Sequence, residues 1–423
     1  MSIILTLAWR NLWRPPRRTA LTLAAIVFSD ALLVWMISLQ LGQYDMMIDN
    51  TLRVFTGNVQ IQRQGYLDKP QMQLSIAHAG ELAETIRHHI SNANVSVRAM
   101  GFALVSSEKR SYGAQIAGVQ PAFEPKVSVI PGLIKHGRYL KDSDRDKAVI
   151  GSVMARNLKV GVGDELTLLG SGKDGSFAAA VVSVVGIFDS GDSELDRYMV
   201  QLPLKFFQNI FSMEDSAHSI VISVGSYDKT PLLSRQLRSL KLNSMKPSYM
   251  KPSYMKPSSD LDIIPWERLQ PGLKQAIQAD FSTAWLMYGV LVVLVAFSVL
   301  NTFLMAVLER TREFGIMLAL GLTPGKIGRL VMTESFLMAA SGMLLGILTG
   351  AAFSAYFALY GFSYPGMDEL ASKFNLPDRF YLVLTPVSLL LGPAVIFIAT
   401  LLAALWPAVR IRLLKPVEAM QTV

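Results

Sequence analysis

Long apolar stretches separate this chain into segments of two kinds. Four stretches reach the length of about 20 mostly apolar residues that a bilayer-spanning helix needs. Asp30 and Glu334 are the only acidic or basic residues within them. The pattern therefore predicts a membrane protein with four transmembrane helices, at residues 19–41, 285–308, 330–360 and 381–409.

The region between the first two spans, residues 42–284, has a shorter hydrophobic period. Stretches rich in Val, Ile and Leu are typical of strands, and apolar residues three and four apart indicate helices. We expect a large α/β extracytoplasmic domain inserted between transmembrane helices 1 and 2. The predicted strands are residues 55–62, 94–106, 165–169, 178–188 and 219–224, and the predicted helices are residues 79–90, 151–158, 202–211 and 232–240.

The two flanks of this domain are expected to continue the neighbouring spans. Residues 42–54 and 265–284 have helical patterns that would extend helices 1 and 2 outward as a stalk. Residues 245–259 read MKPSYMKPSYMKPSS, and Pro at every fifth residue favours an extended linker over a helix. We interpret this repeat as an expanded loop, with a recognition arm as the alternative.

Composition supports the membrane interpretation. Charged residues make up 17% of the chain, against about a quarter in soluble proteins, and hydrophobic residues make up 51%. Cysteine is absent, which excludes disulfides, thiol nucleophiles and Cys-based metal sites. Residues 19–41 exceed the apolar core of a signal peptide, so we expect an uncleaved signal-anchor helix.

Basic residues predict the orientation. The net charge is +8, and Lys and Arg lie beside the apolar spans, which favours a membrane over nucleic acid as partner. They cluster in residues 1–18, in the loop 309–329 and in the tail 410–423. We expect these segments, including an amphipathic N-terminal segment and both termini, in the cytoplasm. The domain 42–284 and the short loop 361–380 would then lie in the periplasm of an inner-membrane protein.

Single polar and small residues within the spans supply candidate sites. Asp30 falls near the bilayer midplane, where a charge is costly, so it should face protein or water. Asp30 and Asn301 are candidates for contact with a cavity or substrate, and helix packing is the alternative for Asp30. Gly342, Gly346 and Gly350 form a row at which helices can pack closely.

The strongest local motif is Glu309-Arg310-Thr311-Arg312-Glu313-Phe314-Gly315, which ends one span and is followed by a short amphipathic piece. The stretch ERTREFGIMLALGLTPGKI, the opening AWRNLWRPPRRTALTLAAI, the ending WPAVRIRLLKPVEAM and the domain motifs GVGDELTL and VVGIFDSGDSELDRYMV match jointly and in order. Together they resemble the FtsX/MacB/LolE-type ABC transporter permeases. The domain motifs are most similar to the lipoprotein-releasing branch, and the MKPSY repeat departs from the pattern.

This resemblance implies a dimeric permease that binds a separate cytoplasmic ABC ATPase dimer and transmits ATP-driven closure to its outer domain. The second permease would be another copy or a paralogue, and a periplasmic carrier or adaptor is a further candidate partner, together with membrane lipids. ATP and Mg would be bound by the ATPase, because neither Gly321–Lys326 nor Gly170–Lys173 has Walker A spacing. The implied coupling element, with Arg310, Arg312 and Glu313 facing the ATPase, comprises Glu309, Arg310, Thr311, Arg312, Glu313, Phe314, Gly315 and Ile316.

Three functions remain open within this family. The resemblance favours extraction of a lipoprotein or other amphiphile from the inner membrane. The alternatives are a MacB-like efflux permease with an adaptor and outer-membrane channel, and an FtsX-like regulator of cell-wall hydrolases that transports nothing.

We expect neither a catalytic nor a metal site on this chain. HExxH and GxSxG do not occur, and all five histidines lie in the predicted outer domain. His88 and His89 are adjacent in a predicted helix and would point apart, which weakens them as a metal pair.

Overall fold

The computed structural model describes residues 3–14, 16–240, 261–363, 365–367 and 379–410. The repeat 245–259, most of the loop 361–380 and the tail after residue 410 lie outside these ranges, so the predictions made for them stay predictions. The chain divides into two compact units. We call residues 1–44, 276–364 and 379–423 the helical unit, and residues 45–275 with 365–378 the sheet unit.

The described elements follow one another along the chain. Two are 3-10 turns, at Ile130–Gly132 and Tyr227–Lys229, and a π-helical segment, Leu52–Thr56, follows the second helix. The others are α1 (Ile3–Leu12), α2 (Pro16–Thr51), β1 (Val59–Arg63), α3 (Ala79–His89), β2 (Asn94–Ser106), β3 (Ser111–Val119), α4 (Glu124–Val127), β4 (Ile134–Gly137), β5 (Lys147–Gly151), α5 (Ser152–Leu158), β6 (Glu165–Ser171), β7 (Phe177–Phe188), α6 (Leu195–Tyr198), β8 (Met199–Pro203), α7 (Leu204–Ile210), β9 (Ser219–Ser223), α8 (Thr230–Ser239), β10 (Leu261–Pro265), α9 (Trp266–Leu269), α10 (Pro271–Glu309), α11 (Thr311–Ala319), α12 (Pro324–Tyr360) and α13 (Pro386–Arg410).

The helical unit contains the membrane-crossing candidates. By length and hydropathy these are Pro16–Thr56, Pro271–Glu309, Pro324–Tyr360 and Pro386–Val409, which agree with the predicted spans. Two of these helices, α2 and α10, are much longer than their apolar cores at 19–41 and 285–308. The predicted extension 42–54 is present as the end of α2 and the π-helical segment after it. The predicted extension 265–284 is helical in α10 only from Pro271, because residue 265 ends β10 and Trp266–Leu269 form the separate short helix α9.

The sheet unit is built on one ten-stranded sheet with the order β10-β1-β9-β2-β3-β8-β5-β7-β4 and β6 off this path. Strand β6 pairs with both β2 and β7, which closes β2, β3, β8, β5, β7 and β6 into a ring. The pairs β3–β8 and β5–β7 are parallel, and the other pairs are antiparallel. Strand β2 has three partners and so occupies the centre of the sheet.

A close approach of α7 to the sheet shapes the main core. The ring of Phe207 stacks on that of Phe211 with centroids 4.4 Å apart, and both side chains are fully buried. Gly118 on β3 makes room for this pair, because a Cβ there would lie 2.6 Å from the Cβ of Phe207. The helix can pack so closely on the strand only where the strand has no side chain.

The predicted elements of the sheet unit are present, with two misplaced boundaries and several omissions. The helix predicted over residues 202–211 begins at Leu204, because residues 202 and 203 belong to β8. The first strand begins at Val59 and not at residue 55, because residues 52–56 continue α2 as π-helix and Gly57, with φ 74, ends it. Strands β3, β4, β5, β8 and β10 were not predicted. Several of these strands are short or rich in Gly and Ala, which weakens the strand signal in sequence.

Candidate functional site

The predicted coupling element lies in the helical unit, where α10 ends at Glu309 and α11 begins at Thr311. Arg310 stands between the two helices. Its guanidinium binds both carboxylate oxygens of Glu334 on α12, at 3.0 and 3.2 Å, and its Nε donates to Glu313 at 3.1 Å. Arg310 therefore ties the short helix α11 to the long helix α12.

The N-terminal helices join the same network. Arg18 on α2 forms a 2.7 Å ion pair with Glu309 and donates to the Thr302 carbonyl oxygen at 2.7 Å. Asn11 on α1 donates to Glu334 at 2.7 Å, and Arg14 approaches Glu313 at 3.6 Å. We call the six ionised side chains of this network the charge cluster: Arg14, Arg18, Glu309, Arg310, Glu313 and Glu334.

The charge cluster lines a cavity of about 270 Å³. Thr19, Thr22, Phe303 and Met338 complete part of its wall, so the lining includes both polar and apolar side chains. Five helices (α1, α2, α10, α11 and α12) contribute residues to this one place. A displacement of α11 would therefore be transmitted to every helix that the charge cluster joins.

The two faces of α11 differ sharply. Phe314 is fully buried, with the Arg310 guanidinium 5.2 Å from its ring centroid, and Gly315 is also buried. On the opposite face Arg312 is exposed, Ile316 is 49% exposed and Leu320 is 77% exposed. Apolar side chains so exposed on a short amphipathic helix indicate a docking face.

The three residues expected to face an ATPase differ in their accessibility. We expected Arg310 to face an ATPase together with Arg312 and Glu313. In the structure the side chain of Arg310 is 20% exposed and is engaged with Glu334 inside the helical unit. Arg312 and the 46%-exposed Glu313 are accessible, as is Thr311 in part.

Asp30 lies in a helix–helix seam and not at the cavity of the charge cluster. It is fully buried, and its carboxylate oxygens have no hydrogen-bonding partner among the residues that the structure describes. A Cβ placed on Gly346 would lie 2.3 Å from the Cβ of Asp30. The seam therefore requires Gly346, and it agrees with the packing interpretation of Asp30.

The remaining residues of the glycine row behave in the same way. A Cβ on Gly342 would lie 2.5 Å from Ile26, and one on Gly350 would lie 2.9 Å from Val34. Asn301, the second candidate for substrate contact, is exposed on α10. The structure therefore does not bring Asn301 and Asp30 into one site.

A network of side-chain hydrogen bonds between α2 and α10 was not predicted from the sequence. Tyr44 donates to Asp280 at 2.6 Å, Gln40 donates to Asp280 at 3.3 Å, and Tyr288 donates to Gln40 at 2.8 Å. Polar residues at the ends of both predicted spans were the available signal. Their pairing depends on a separation of 236 or more residues, which sequence patterns do not encode.

The sheet unit contains a buried histidine, His218. Nδ1 of His218 accepts from the Met100 N–H at 2.9 Å, and Nε2 faces the Met72 carbonyl oxygen at 3.3 Å. These partners suit the neutral ring with its proton on Nε2. Burial lowers the pKa of His218 to about 4.

The fold and the site together define a class: a polytopic membrane protein with a sheet domain inserted between its first two spans and a charged helical segment after the second. The MacB-like periplasmic core domain family matches residues 19–240, and the FtsX-like permease C-terminal family matches residues 285–416. The chain belongs to the family with a MacB-like periplasmic core domain, and it also has an FtsX-like permease C-terminal domain. It is an ABC transporter permease of the LolC, LolE and MacB type.

The curated relatives include lipoprotein-releasing permeases and a macrolide exporter. The lipoprotein-releasing system transmembrane protein LolC of Xylella fastidiosa is 22% identical and covers 79% of this chain and 81% of its own length. The corresponding protein LolE of Haemophilus influenzae is 24% identical over 82% of both. The macrolide export ATP-binding/permease protein MacB of Bdellovibrio bacteriovorus is 23% identical over 80% of this chain, and the chain spans about half, 51%, of that relative.

A solved structure is also similar. The crystal structure of the periplasmic region of MacB from Actinobacillus actinomycetemcomitans covers 52% of this chain and 94% of its own, at 14% identity and a TM-score of 0.36. The family implies a partner ATPase, and its matches indicate no catalytic domain on this chain.

Proposed function

We propose that this chain is the permease subunit that couples ATP hydrolysis, by a separate ATPase subunit, to motion of its periplasmic domain. The motion would extract or export a lipoprotein or another amphiphile from the inner membrane. Both termini and α11 would lie in the cytoplasm, and the sheet unit would lie in the periplasm, as the basic flanks predict.

The charge cluster is the observation that carries this proposal. Arg310 connects α11 to α12, and Arg18 connects α2 to the end of α10. A push on the exposed face of α11 would thus reach α2 and α10. These two helices lead directly into the inserted domain along the chain.

The exposed face of α11 is the proposed ATPase contact. Ile316 and Leu320 would enter an apolar groove on the ATPase, with Arg312 pairing with an acidic residue at its rim. The second permease, as another copy or a paralogue, belongs to the same proposal. ATP and Mg would bind to the ATPase subunits, and the carrier or adaptor depends on the substrate.

Lipoprotein release is the substrate class that we favour. It is supported by relatives named as lipoprotein-releasing, which this chain matches over 81% and 82% of their lengths. The MacB relative, named as a macrolide exporter, is matched over 51% of its length. A MacB-like exporter is therefore the second candidate, and a non-transporting regulator of cell-wall hydrolases is the third.

Purification of the complex from its own membranes in lipid nanodiscs tests the substrate. Mass spectrometry of the bound molecules should find triacylated proteins that leave the complex when ATP is added. Nucleotide-released small molecules without lipoproteins would support the exporter instead. A complex that releases neither, but binds a hydrolase, would favour the regulator.

A further inference from the structure

The junction between α2 and the sheet is unusually well connected. Helix α2 does not end with free carbonyl groups but passes into the π-helical segment Leu52–Thr56. π-helical turns are rare and are frequently found at functional sites. Helix ends normally leave their last carbonyl oxygens to water or to capping groups, so the partners of these carbonyls show what the helix is attached to.

Every carbonyl oxygen of this segment accepts a hydrogen bond. The Leu52 oxygen accepts from the Gly57 N–H at 2.8 Å, and the Thr56 oxygen accepts from the Gln60 side chain at 2.7 Å. The three between them are bound by residues distant in sequence. The Val129 N–H donates to the Arg53 oxygen at 2.9 Å, and the Ser128 hydroxyl donates to the Val54 oxygen at 2.6 Å. The Arg98 guanidinium donates to the Phe55 oxygen.

The buried ion pair between Arg98 and Glu124 fixes the bond from Arg98 to the Phe55 carbonyl oxygen. Arg98 is 1% exposed and Glu124 is 0% exposed. Arg98 donates to the two Glu124 oxygens at 2.6 and 3.2 Å, and Ser96 donates to the same carboxylate at 2.9 Å. The guanidinium also lies 3.9 Å from the centroid of the Phe55 ring. Arg98 therefore contacts both the backbone and the side chain of Phe55.

The position of Arg98 on β2 connects Phe55 to the sheet. Arg98 lies on β2, opposite Val119 of β3 and Ser219 of β9. The same strand continues to its pairing with β6. A displacement of Phe55 would therefore act on a strand with three partners and not on an edge strand.

The start of the second long helix is tied to the same segment. Strand β10, which precedes it, pairs with β1 along all five residues. Gln270 donates to the Thr56 hydroxyl at 3.0 Å, and the Trp266 N–H donates to the Asn58 carbonyl oxygen at 3.1 Å. Thr56 is thus bonded to the residue immediately before α10.

We propose that Arg98 and Glu124 are positioning residues of a rigid joint, which makes the last turns of α2 and the sheet move as one body. An ion pair buried this deeply costs desolvation that an apolar pair would avoid. The ion pair instead fixes the position of Phe55, because only a planar guanidinium can bind Glu124, the Phe55 carbonyl and the Phe55 ring together. The use of the joint for transmission rests on the proposed function, whereas its rigidity does not.

Distance measurement between spin labels tests the joint in the full-length protein in nanodiscs. The chain contains no cysteine, so Met47→Cys on α2 and Phe177→Cys on β7 give two unique labels, at side chains 40% and 76% exposed. We expect a narrow distance distribution in the parent, identical with and without ATP and vanadate on the copurified complex. The double variant Arg98→Met/Glu124→Leu should broaden the distribution about two-fold or more, because Phe55 loses its cap.

Two further variants keep the test decisive. Arg98→Lys retains the charge opposite Glu124 but not the fork, so it should broaden the distribution to an intermediate width even where the double variant fails to fold. Arg138→Met removes the more exposed Arg138–Asp144 pair, with bonds of 2.7 and 2.9 Å, which forms no hydrogen bond to the described segment Leu52–Thr56, and it should leave the width unchanged.

The joint is refuted if Arg98→Lys and the folded double variant keep the parent width, or if the parent distance changes with nucleotide. Both readouts concern distances within one chain. Failure of the proposed function would appear separately, as the absence of a copurifying ATPase, with the narrow distribution intact.

Discussion

Glycine at position 346 sets how closely α2 and α12 approach each other. Replacement by alanine would place a methyl group 2.3 Å from the Asp30 Cβ, so the helices must separate. We expect Gly346→Ala to lower the stability of the protein in detergent by about 1–3 kcal/mol, the usual range for overpacking. Thermal unfolding monitored by intrinsic fluorescence measures the change.

The control for this variant is Gly289→Ala on α10, where nothing lies within 4 Å of the added Cβ. It should be neutral or slightly stabilising, because alanine favours helix over glycine. Equal destabilisation by both substitutions would contradict close packing at Gly346.

His218 makes the sheet unit sensitive to acid. Its pKa of about 4 in the folded protein lies below the value of about 6.5 expected for the unfolded chain, so the unfolded state binds the proton first. The stability contributed by neutral His218 is complete above pH 6.5. About 3 kcal/mol should be lost as the pH falls from 6.5 towards 4.

A comparison of variants isolates this contribution. Burial raises the pKa of Asp196 to about 6, which acts with the opposite sign in the same pH range, so the slope of the parent alone is ambiguous. His218→Gln keeps a donor and an acceptor but cannot titrate, so the free energy of unfolding of the parent should fall by about 3 kcal/mol relative to that of the variant as the pH drops from 6.5 towards 4. The exposed His88→Gln should retain the parent slope; loss of the slope there would refute the assignment.

At the scale of elements, the charge cluster joins helices that are far apart in sequence. Removal of Arg310 leaves Glu334 without its cation, and removal of both should cost less than the sum. A double-mutant cycle of Arg310→Met and Glu334→Gln should give a coupling energy of about 1–3 kcal/mol. Urea unfolding in detergent provides the free energies.

The matched cycle pairs Glu334→Gln with Arg17→Met, because Arg17 is exposed on α2 one residue before Arg18. Its coupling energy should be close to zero. Additive effects of Arg310→Met and Glu334→Gln would mean that the cluster does not tie α11 to α12.

Elements were more predictable than their contacts. The four spans followed from apolar length alone, and the extensions of α2 and α10 followed from helical periodicity. The bond from Arg18 to Glu309 joins residues 291 apart, and Arg310 turns inward because Glu334 lies within its reach. Such pairings depend on tertiary geometry, which local patterns in the sequence do not carry.

The sheet shows the same limit in another form. Regular strands such as β2 and β7 were recognised, while the ring closed by β6 and the π-helical end of α2 were not. Strand order is decided by packing among many similar apolar strands. The joint around Arg98 was likewise invisible, since it unites residues 55, 98 and 124 only after folding.

At the scale of the molecule, one chain would carry a complete line of transmission. The exposed face of α11 would receive the motion of the ATPase, and the charge cluster would pass it to α2 and α10. The joint at the π-helical segment would deliver it to the centre of the sheet. Each step uses a different set of bonds, so each can be broken separately.

Affinity purification of the complex tests the first step, on which the rest depends. An ABC ATPase should copurify with the full-length chain. Ile316→Asp, which puts a charge into the exposed apolar face of α11, should abolish copurification, while Arg17→Met should not affect it. Failure to recover an ATPase with the parent chain, or full recovery with Ile316→Asp, would contradict the account.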